Sequence, residues 1–141
     1  MRRTHQTSVG TAAVALAVAA LALNACSPPS PQENVSQACA AAESLAASVE
    51  QFRSTLSADA TIEQVRSARD DVVASYDALV AEAQDVAQDR KDELETNVEE
   101  FQSAVDDVPD DTKLPDAVES LRNKSADVGT ALDGLEAELQ C

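Results

Sequence analysis

Apolar residues recur at alternating steps of three and four between residues 35 and 56 of this 141-residue chain. This spacing keeps them on one side of an α-helix, which turns once in about 3.6 residues, and it is the heptad pattern of helices that pack lengthwise. The sequence therefore predicts a helix with one narrow buried stripe, and no stretch of the chain shows the pattern of a strand. The stripe consists of Val35, Ala38, Ala42, Leu45, Val49, Phe52 and Leu56.

Local signals predict where the helices begin and end. Ser30-Pro31-Gln32-Glu33 and Thr61-Ile62-Glu63-Gln64 both have the form of a capping box, in which a hydroxyl residue precedes Glu or Gln by three positions. Pro109 forces Val108 out of helical geometry, and Pro115 suits a helix start. We predict helices over about 31–56, 62–107 and 115–139. The stripe residues of the second are Ile62, Val65, Val72, Tyr76, Leu79, Ala83, Val86, Leu94, Val98, Phe101 and Val105, and those of the third are Val118, Leu121, Val128, Leu132, Leu135 and Leu139.

The N-terminal residues have the three parts of a secretory signal, with Arg2 and Arg3 before an apolar run over 11–23. The run is too short for a membrane span of about 20 residues. It ends in Leu23-Asn24-Ala25-Cys26, which resembles the lipobox of bacterial lipoproteins. The resemblance implies that Leu23, Asn24 and Ala25 are recognised by the signal peptidase, and that Cys26 carries a diacylglyceryl group. Plain secretion with a chance cysteine is the alternative.

This interpretation divides the chain into three parts. Residues 1–25 are a cleaved lipoprotein signal peptide, 26–31 are a lipid-anchored Pro/Ser-rich tether, and 32–141 form the helical domain. We expect the protein on the outer face of the cell membrane, bound to it through Cys26. As a whole, the chain resembles the small, Ala-rich, acidic hypothetical lipoproteins of high-GC Gram-positive bacteria, a group that implies no particular activity.

The charge of the mature part excludes several partners. Without Arg2 and Arg3 it has 8 basic and 26 acidic residues, a net charge of −18. Such a surface repels nucleic acid and anionic lipid headgroups. The single histidine, His5, lies in the signal, so we expect no catalytic triad, no histidine metal ligand and no cofactor. The acidic turn over 106–111 has oxygen ligands but not the pattern of a calcium loop, and a solvated loop is the favoured interpretation.

Cys39 and Cys141 are the two cysteines left once Cys26 is lipidated, and an even pair in an exported protein predicts a disulfide. If residues 62–107 form one unbroken helix, counting about 1.5 Å per helical residue brings the two thiols within reach. A break near residue 90 separates them by roughly 25 Å in the same count. No Gly, Pro or Asn lies between Ala60 and Thr96 to favour a turn. We therefore predict an antiparallel all-α bundle with a long central helix flanked by two shorter ones; the alternative is an up-down four-helix bundle.

These features predict a membrane-anchored, non-catalytic helical body that acts as an adaptor for another envelope protein. A small carrier subunit for a lipid or a cation is the alternative. One apolar stripe could form a groove for a partner helix or an acyl chain, because Val73, Val80 and Ala87 widen the apolar face of the second helix. Contact with two neighbouring helices explains this widening equally well, and the oligomeric state stays open.

Overall fold

The computed structural model describes residues 30–57, 59–83, 87–110 and 114–141, and within them it contains helices and no strand. The all-α fold class is confirmed. The four helices are α1 (Pro31–Thr55), α2 (Ile62–Glu82), α3 (Gln88–Asp106) and α4 (Leu114–Leu139). The predicted signal peptide and most of the tether lie outside the described residues.

Both predicted capping boxes are formed. The Ser30 amide donates to the Glu33 carboxylate at 2.8 Å, and the Glu33 amide donates to the Ser30 hydroxyl at 3.3 Å. Thr61 and Gln64 make the same reciprocal pair at 2.9 and 3.3 Å. Each box satisfies amides that the first turn of a helix leaves without partners. These bonds explain why α1 and α2 begin where the sequence predicts.

The helices run up, down, up and down, each antiparallel to the one before it. Ser48 of α1 lies 2.7 Å from Ser75 of α2 between hydroxyl oxygens, and Arg69 of α2 pairs with Asp106 of α3 at 2.6 Å. Lys124 of α4 pairs with Glu100 of α3 at 2.7 Å. Finally, α4 closes the bundle against α1, where Arg122 donates to the Leu56 carbonyl at 3.2 Å.

One core runs along the bundle and contains most of the predicted stripe residues. At its centre the rings of Phe52 and Phe101 meet edge to face, with centroids 4.6 Å apart, and Val49, Val72 and Val128 surround them. Each such side chain contributes about 1.5–3 kcal/mol when fully buried. Four predicted stripe residues are only half-buried: Val35, Ile62, Tyr76 and Val118. Four other apolar residues among those described are buried although the heptad pattern does not select them: Ala68, Val108, Leu114 and Ala131.

The prediction of one continuous helix over 62–107 is wrong, and the four-helix alternative is correct. Arg69 and Asp106 would be about 55 Å apart along a straight helix, but they form an ion pair because α3 folds back along α2. Ala87, just before α3, has a left-handed backbone (φ 52°) although it is not glycine. That conformation costs about 1–2 kcal/mol, which is less than the gain from burying Leu94, Val98 and Phe101.

The predicted separation of the thiols in a four-helix bundle is also wrong. The Cα atoms of Cys39 and Cys141 are 5.6 Å apart, a distance compatible with the predicted disulfide. Phe52 of α1 and Val128 of α4 lie in the same core layer, and each is 13 residues from its cysteine. From that layer, α1 back to Cys39 and α4 on to Cys141 each extend about 20 Å towards the same end of the bundle, where the two cysteines meet. The estimate of about 25 Å assumed a break near residue 90, whereas α2 ends at Glu82 and α3 begins at Gln88. It also assumed that each helix begins at the level along the bundle axis where the previous helix ends.

We expect the aromatic pair to dominate the stability of the core. Replacement of Phe52 or Phe101 by Ala should lower the free energy of unfolding by about 3–5 kcal/mol, because each leaves a cavity that its neighbours fill only partly. The double variant should show a coupling of about 0.5–1.5 kcal/mol from the lost edge-to-face contact. Urea unfolding followed by circular dichroism measures both quantities. The exposed Gln51→Ala serves as the control, and a loss below 1 kcal/mol at either Phe would contradict the assignment.

The disulfide should stabilise the bundle strongly, because it joins residues 102 positions apart. The double substitution Cys39→Ser and Cys141→Ser should lower the free energy of unfolding by about 4–5 kcal/mol if the constraint on the unfolded chain dominates. Urea unfolding with and without reductant measures this effect, and the double variant should be insensitive to the reductant. Equal stability of the oxidised and reduced wild type would show that the bridge does not hold the bundle.

Candidate functional site

The predicted lipidation residue Cys26 and its recognition residues Leu23, Asn24 and Ala25 lie outside the described residues. The two remaining predicted site residues lie together at one end of the bundle, where α1 begins and α4 ends. Cys39 is half-buried and Cys141 is exposed. Gln140 has a left-handed backbone (φ 61°), and the Cys141 amide donates to the Glu136 carbonyl at 3.0 Å. This turn directs the last residue back towards α1.

The acidic turn after α3 is partly neutralised by two arginines of α2. Arg66 pairs with Asp110 at 2.6 Å and donates to the Val108 carbonyl at 3.1 Å, and Arg69 pairs with Asp106. The Arg69 Nε also lies 2.7 Å from an Asp70 oxygen, without hydrogen-bond alignment. At these two carboxylates, the acidic turn that the sequence predicts to be solvated forms ion pairs while both side chains stay exposed. Among the described residues, no group of three or more His, Cys, Asp or Glu is arranged to hold a metal ion.

The contact between α1 and α4 is polar where Arg53 crosses it. Its guanidinium donates to the Ser125 hydroxyl at 3.3 Å and to the Ser125 carbonyl at 3.2 Å, and it forms an ion pair with Glu50. Ser125 is the one buried polar residue among those described, and its hydroxyl also bonds to the Arg122 carbonyl. Gly129 lies against the same guanidinium, since a Cβ there would be 3.3 Å from Arg53 Nη2. Gly129 thus makes room for an arginine side chain.

The space at the centre of the core is too narrow to admit a water molecule. Phe52, Phe101, Val72 and Ser125 are among the residues that line it. A surface depression of about 580 Å³ lies beside the α1–α2 connection and is lined mainly by hydroxyl, amide and carboxylate groups. It is wide open and contains no aromatic side chain. The central space is therefore too small for a ligand, and the surface depression lacks the enclosed, mostly apolar form of a small-molecule site.

A different surface combines apolar and charged groups. Val73, Tyr76 and Val80 follow one another on α2 at positions that share a face, and all three are half-buried. Four carboxylates act electrostatically on the Tyr76 hydroxyl, from Asp77 on α2 and from Asp92, Glu95 and Glu99 on α3. We call these seven residues the acidic strip. It lies along the least extensive of the four contacts between neighbouring helices.

The charges of the acidic strip affect the pKa of the Tyr76 hydroxyl. Partial burial raises the pKa of its hydroxyl to about 12, and the nearby carboxylates add to the effect because they disfavour a negative phenolate. The heptad pattern assigned Tyr76 to the buried stripe. It could not show that Glu95 and Glu99 lie beside this tyrosine, because that proximity depends on the turn between α2 and α3.

Comparisons with known proteins found no matching family model, no matching curated protein and no matching solved structure. Within the described residues, none of the helices combines the length and the apolar character that crossing a membrane requires. The function must therefore be argued from the residues and the geometry of the chain.

The raised pKa of Tyr76 predicts a pH-dependent stability with a definite sign. Between pH 10 and about 12 the unfolded chain loses the phenolic proton while the folded chain keeps it, so stability should fall as the pH rises through this range. Tyr76→Phe removes this contribution and is the control for the other groups that titrate there. Absorbance of the phenolate gives the midpoint directly. Glu95→Gln and Glu99→Gln should each lower this midpoint. A wild-type midpoint near 10 would contradict the raised pKa of Tyr76.

Proposed function

We propose that this protein is a membrane-anchored lipoprotein whose helical bundle is a non-catalytic interaction module on the outer face of the cell membrane. The anchor is Cys26, which Leu23-Asn24-Ala25 precedes as in a lipobox. A diacylglyceryl group supplies the two acyl chains that stable membrane attachment requires. The same residues make the N-terminal apolar run a cleaved signal.

The proposed anchor orients the bundle. Helix α1 begins five residues after Cys26, and Cys39 lies eight residues further on, about 12 Å along the helix. The end with Cys39 and Cys141 therefore faces the membrane. The connections between α1 and α2 and between α3 and α4 lie at the opposite end, because α1 is about 37 Å long. A partner in the envelope would meet the sides and the distal end.

The closed core is the observation that favours an interaction module over a carrier. A carrier encloses its ligand, and small-molecule sites have volumes of about 300–1,000 Å³. The space at the centre of this bundle is too narrow to admit a water molecule. The described interior thus supports a solid body that contacts partners through its surface.

The distribution of charge gives that surface its character. Six basic residues contact a carboxylate or a main-chain carbonyl of the bundle itself: Arg53, Arg66, Arg69, Arg90, Arg122 and Lys124. Most carboxylates are left to face outwards, since the mature part has 26 of them against 8 basic residues. Such a surface attracts basic partners and stands off anionic headgroups.

Intact-mass measurement of the protein extracted from bacterial membranes tests the anchor. We expect a species that begins at Cys26 with a diacylglyceryl increment, because the thiol of Cys26 is the acceptor of the lipid. The Cys26→Ser variant should lack the increment and leave the membrane fraction. A lipid-free wild type in the soluble fraction would disprove the anchor. Native mass spectrometry of the same preparation tests the module, and a stoichiometric lipid or metal ion bound to the bundle would favour a carrier instead.

A further inference from the structure

The acidic strip places three half-buried apolar side chains, of which Tyr76 also packs against the core, next to carboxylates that no described basic residue pairs with. Val73 and Val80 lie outside the group of half-buried apolar residues that pack against the core. In the described part of the chain, the carboxylates of Asp77, Asp92, Glu95 and Glu99 take part in no salt bridge. The strip therefore presents partly exposed apolar surface beside four exposed carboxylates that form no salt bridge with the described basic residues.

The described ion pairs between α2 and α3 lie near the distal end of the bundle and not at the strip. Towards the distal end, Arg66 and Arg69 bind α2 to Asp110 and Asp106. No described ion pair between α2 and α3 crosses at the strip, where carboxylates of both helices surround Tyr76. The basic residue on this stretch of α3 is Lys91, which is half-buried. One ammonium group leaves a net negative charge at the strip, which a positively charged partner would complement.

We propose that the acidic strip binds a Lys- or Arg-bearing amphipathic helix of a partner protein, with Tyr76 as the central apolar contact. This inference rests on the proposed interaction module and names the chemistry of its partner. Two antiparallel helices form a groove along their axes, into which a third helix fits lengthwise. Val73, Tyr76 and Val80 extend over two turns, about 10 Å, which matches apolar residues at i, i+3 and i+7 of the partner.

The composition of the strip distinguishes this occupant from an acyl chain. Four unpaired carboxylates around Tyr76 would have to lose water beside a hydrocarbon tail, at a high cost and with no compensating charge. Basic side chains that flank an apolar stripe compensate them directly, and like charges on a wrong partner are repelled. Tyrosine suits the centre of such an interface, since it combines a large apolar ring with a polar end.

Fluorescence anisotropy tests the proposal on the lipidated full-length protein in nanodiscs of zwitterionic lipid. The probe is a labelled peptide of about 18 residues, long enough to match α2, with apolar residues at i, i+3 and i+7 and Lys at the flanking positions. We expect saturable binding that weakens as salt is raised. A scrambled peptide of the same composition and a peptide with Glu in place of Lys should bind at least about tenfold more weakly. Equal binding of the scrambled peptide would overturn the proposal.

Matched variants locate the binding surface. Tyr76→Ala should weaken binding about tenfold or more, and Tyr76→Phe should retain most of it, because the ring makes the apolar contact. Glu99→Lys should weaken it about fivefold, whereas Glu119→Lys, the same change at an exposed residue of α4 that forms no described salt bridge, should leave it unchanged. Circular dichroism checks the fold of each variant, and Glu99→Lys decides the outcome if Tyr76→Ala unfolds.

The outcomes separate the two proposals. Equal loss with Glu99→Lys and Glu119→Lys would mean that the peptide follows total charge, and this would overturn the acidic strip as a site. The same result would leave the lipid anchor intact. The intact mass of each preparation reports the modification of Cys26 independently, so an unlipidated but peptide-binding protein would contradict the proposed anchor alone.

Discussion

The burial of Phe52 against Phe101 determines the arrangement of the other parts of the bundle. The two rings come from helices that are not consecutive in the chain, and they meet edge to face at 4.6 Å only if α3 turns back beside α2. Once the two rings are in contact, Val49 of α1, Val72 of α2 and Val128 of α4 complete the same core layer. In a chain with two Phe, one Tyr and no Trp, this pair supplies a large part of the apolar area available to one layer.

The aromatic layer also sets the register that brings the cysteines together. Phe52 and Val128 are equally far from Cys39 and Cys141 in sequence, so two antiparallel helices that share this layer reach the same level at the membrane-facing end of the proposed orientation. The core and the covalent link therefore support the same register. Small core residues such as Ala38 and Ala42 contribute little apolar area near this end, and the link compensates for that weakness.

Basic and acidic residues occupy different places in the bundle. The arginines act on carbonyls and carboxylates where helices end or cross, as Arg122 does at Leu56 and Arg66 does at Val108 and Asp110. Because the arginines are used in these contacts, the excess carboxylates stay exposed. At the acidic strip, such carboxylates lie beside apolar side chains. The proposed interaction module draws on this division, because α2 shows both kinds of group on its side towards α3.

Sequence alone determined the helical class, the starts of α1 and α2 and the stripe residues that form most of the core. These features depend on neighbours within a few positions, and capping and heptad spacing report such neighbours directly. It did not determine the turn at Ala87, because no glycine, proline or asparagine marks it and its cost is offset by contacts between distant residues. It also missed the pairing of Arg66 and Arg69 with the acidic turn and the carboxylates around Tyr76. Only the tertiary structure decided those contacts. They bring residues of α2 next to residues of α3 or of the turn after it, and this happens only because the chain reverses between α2 and α3.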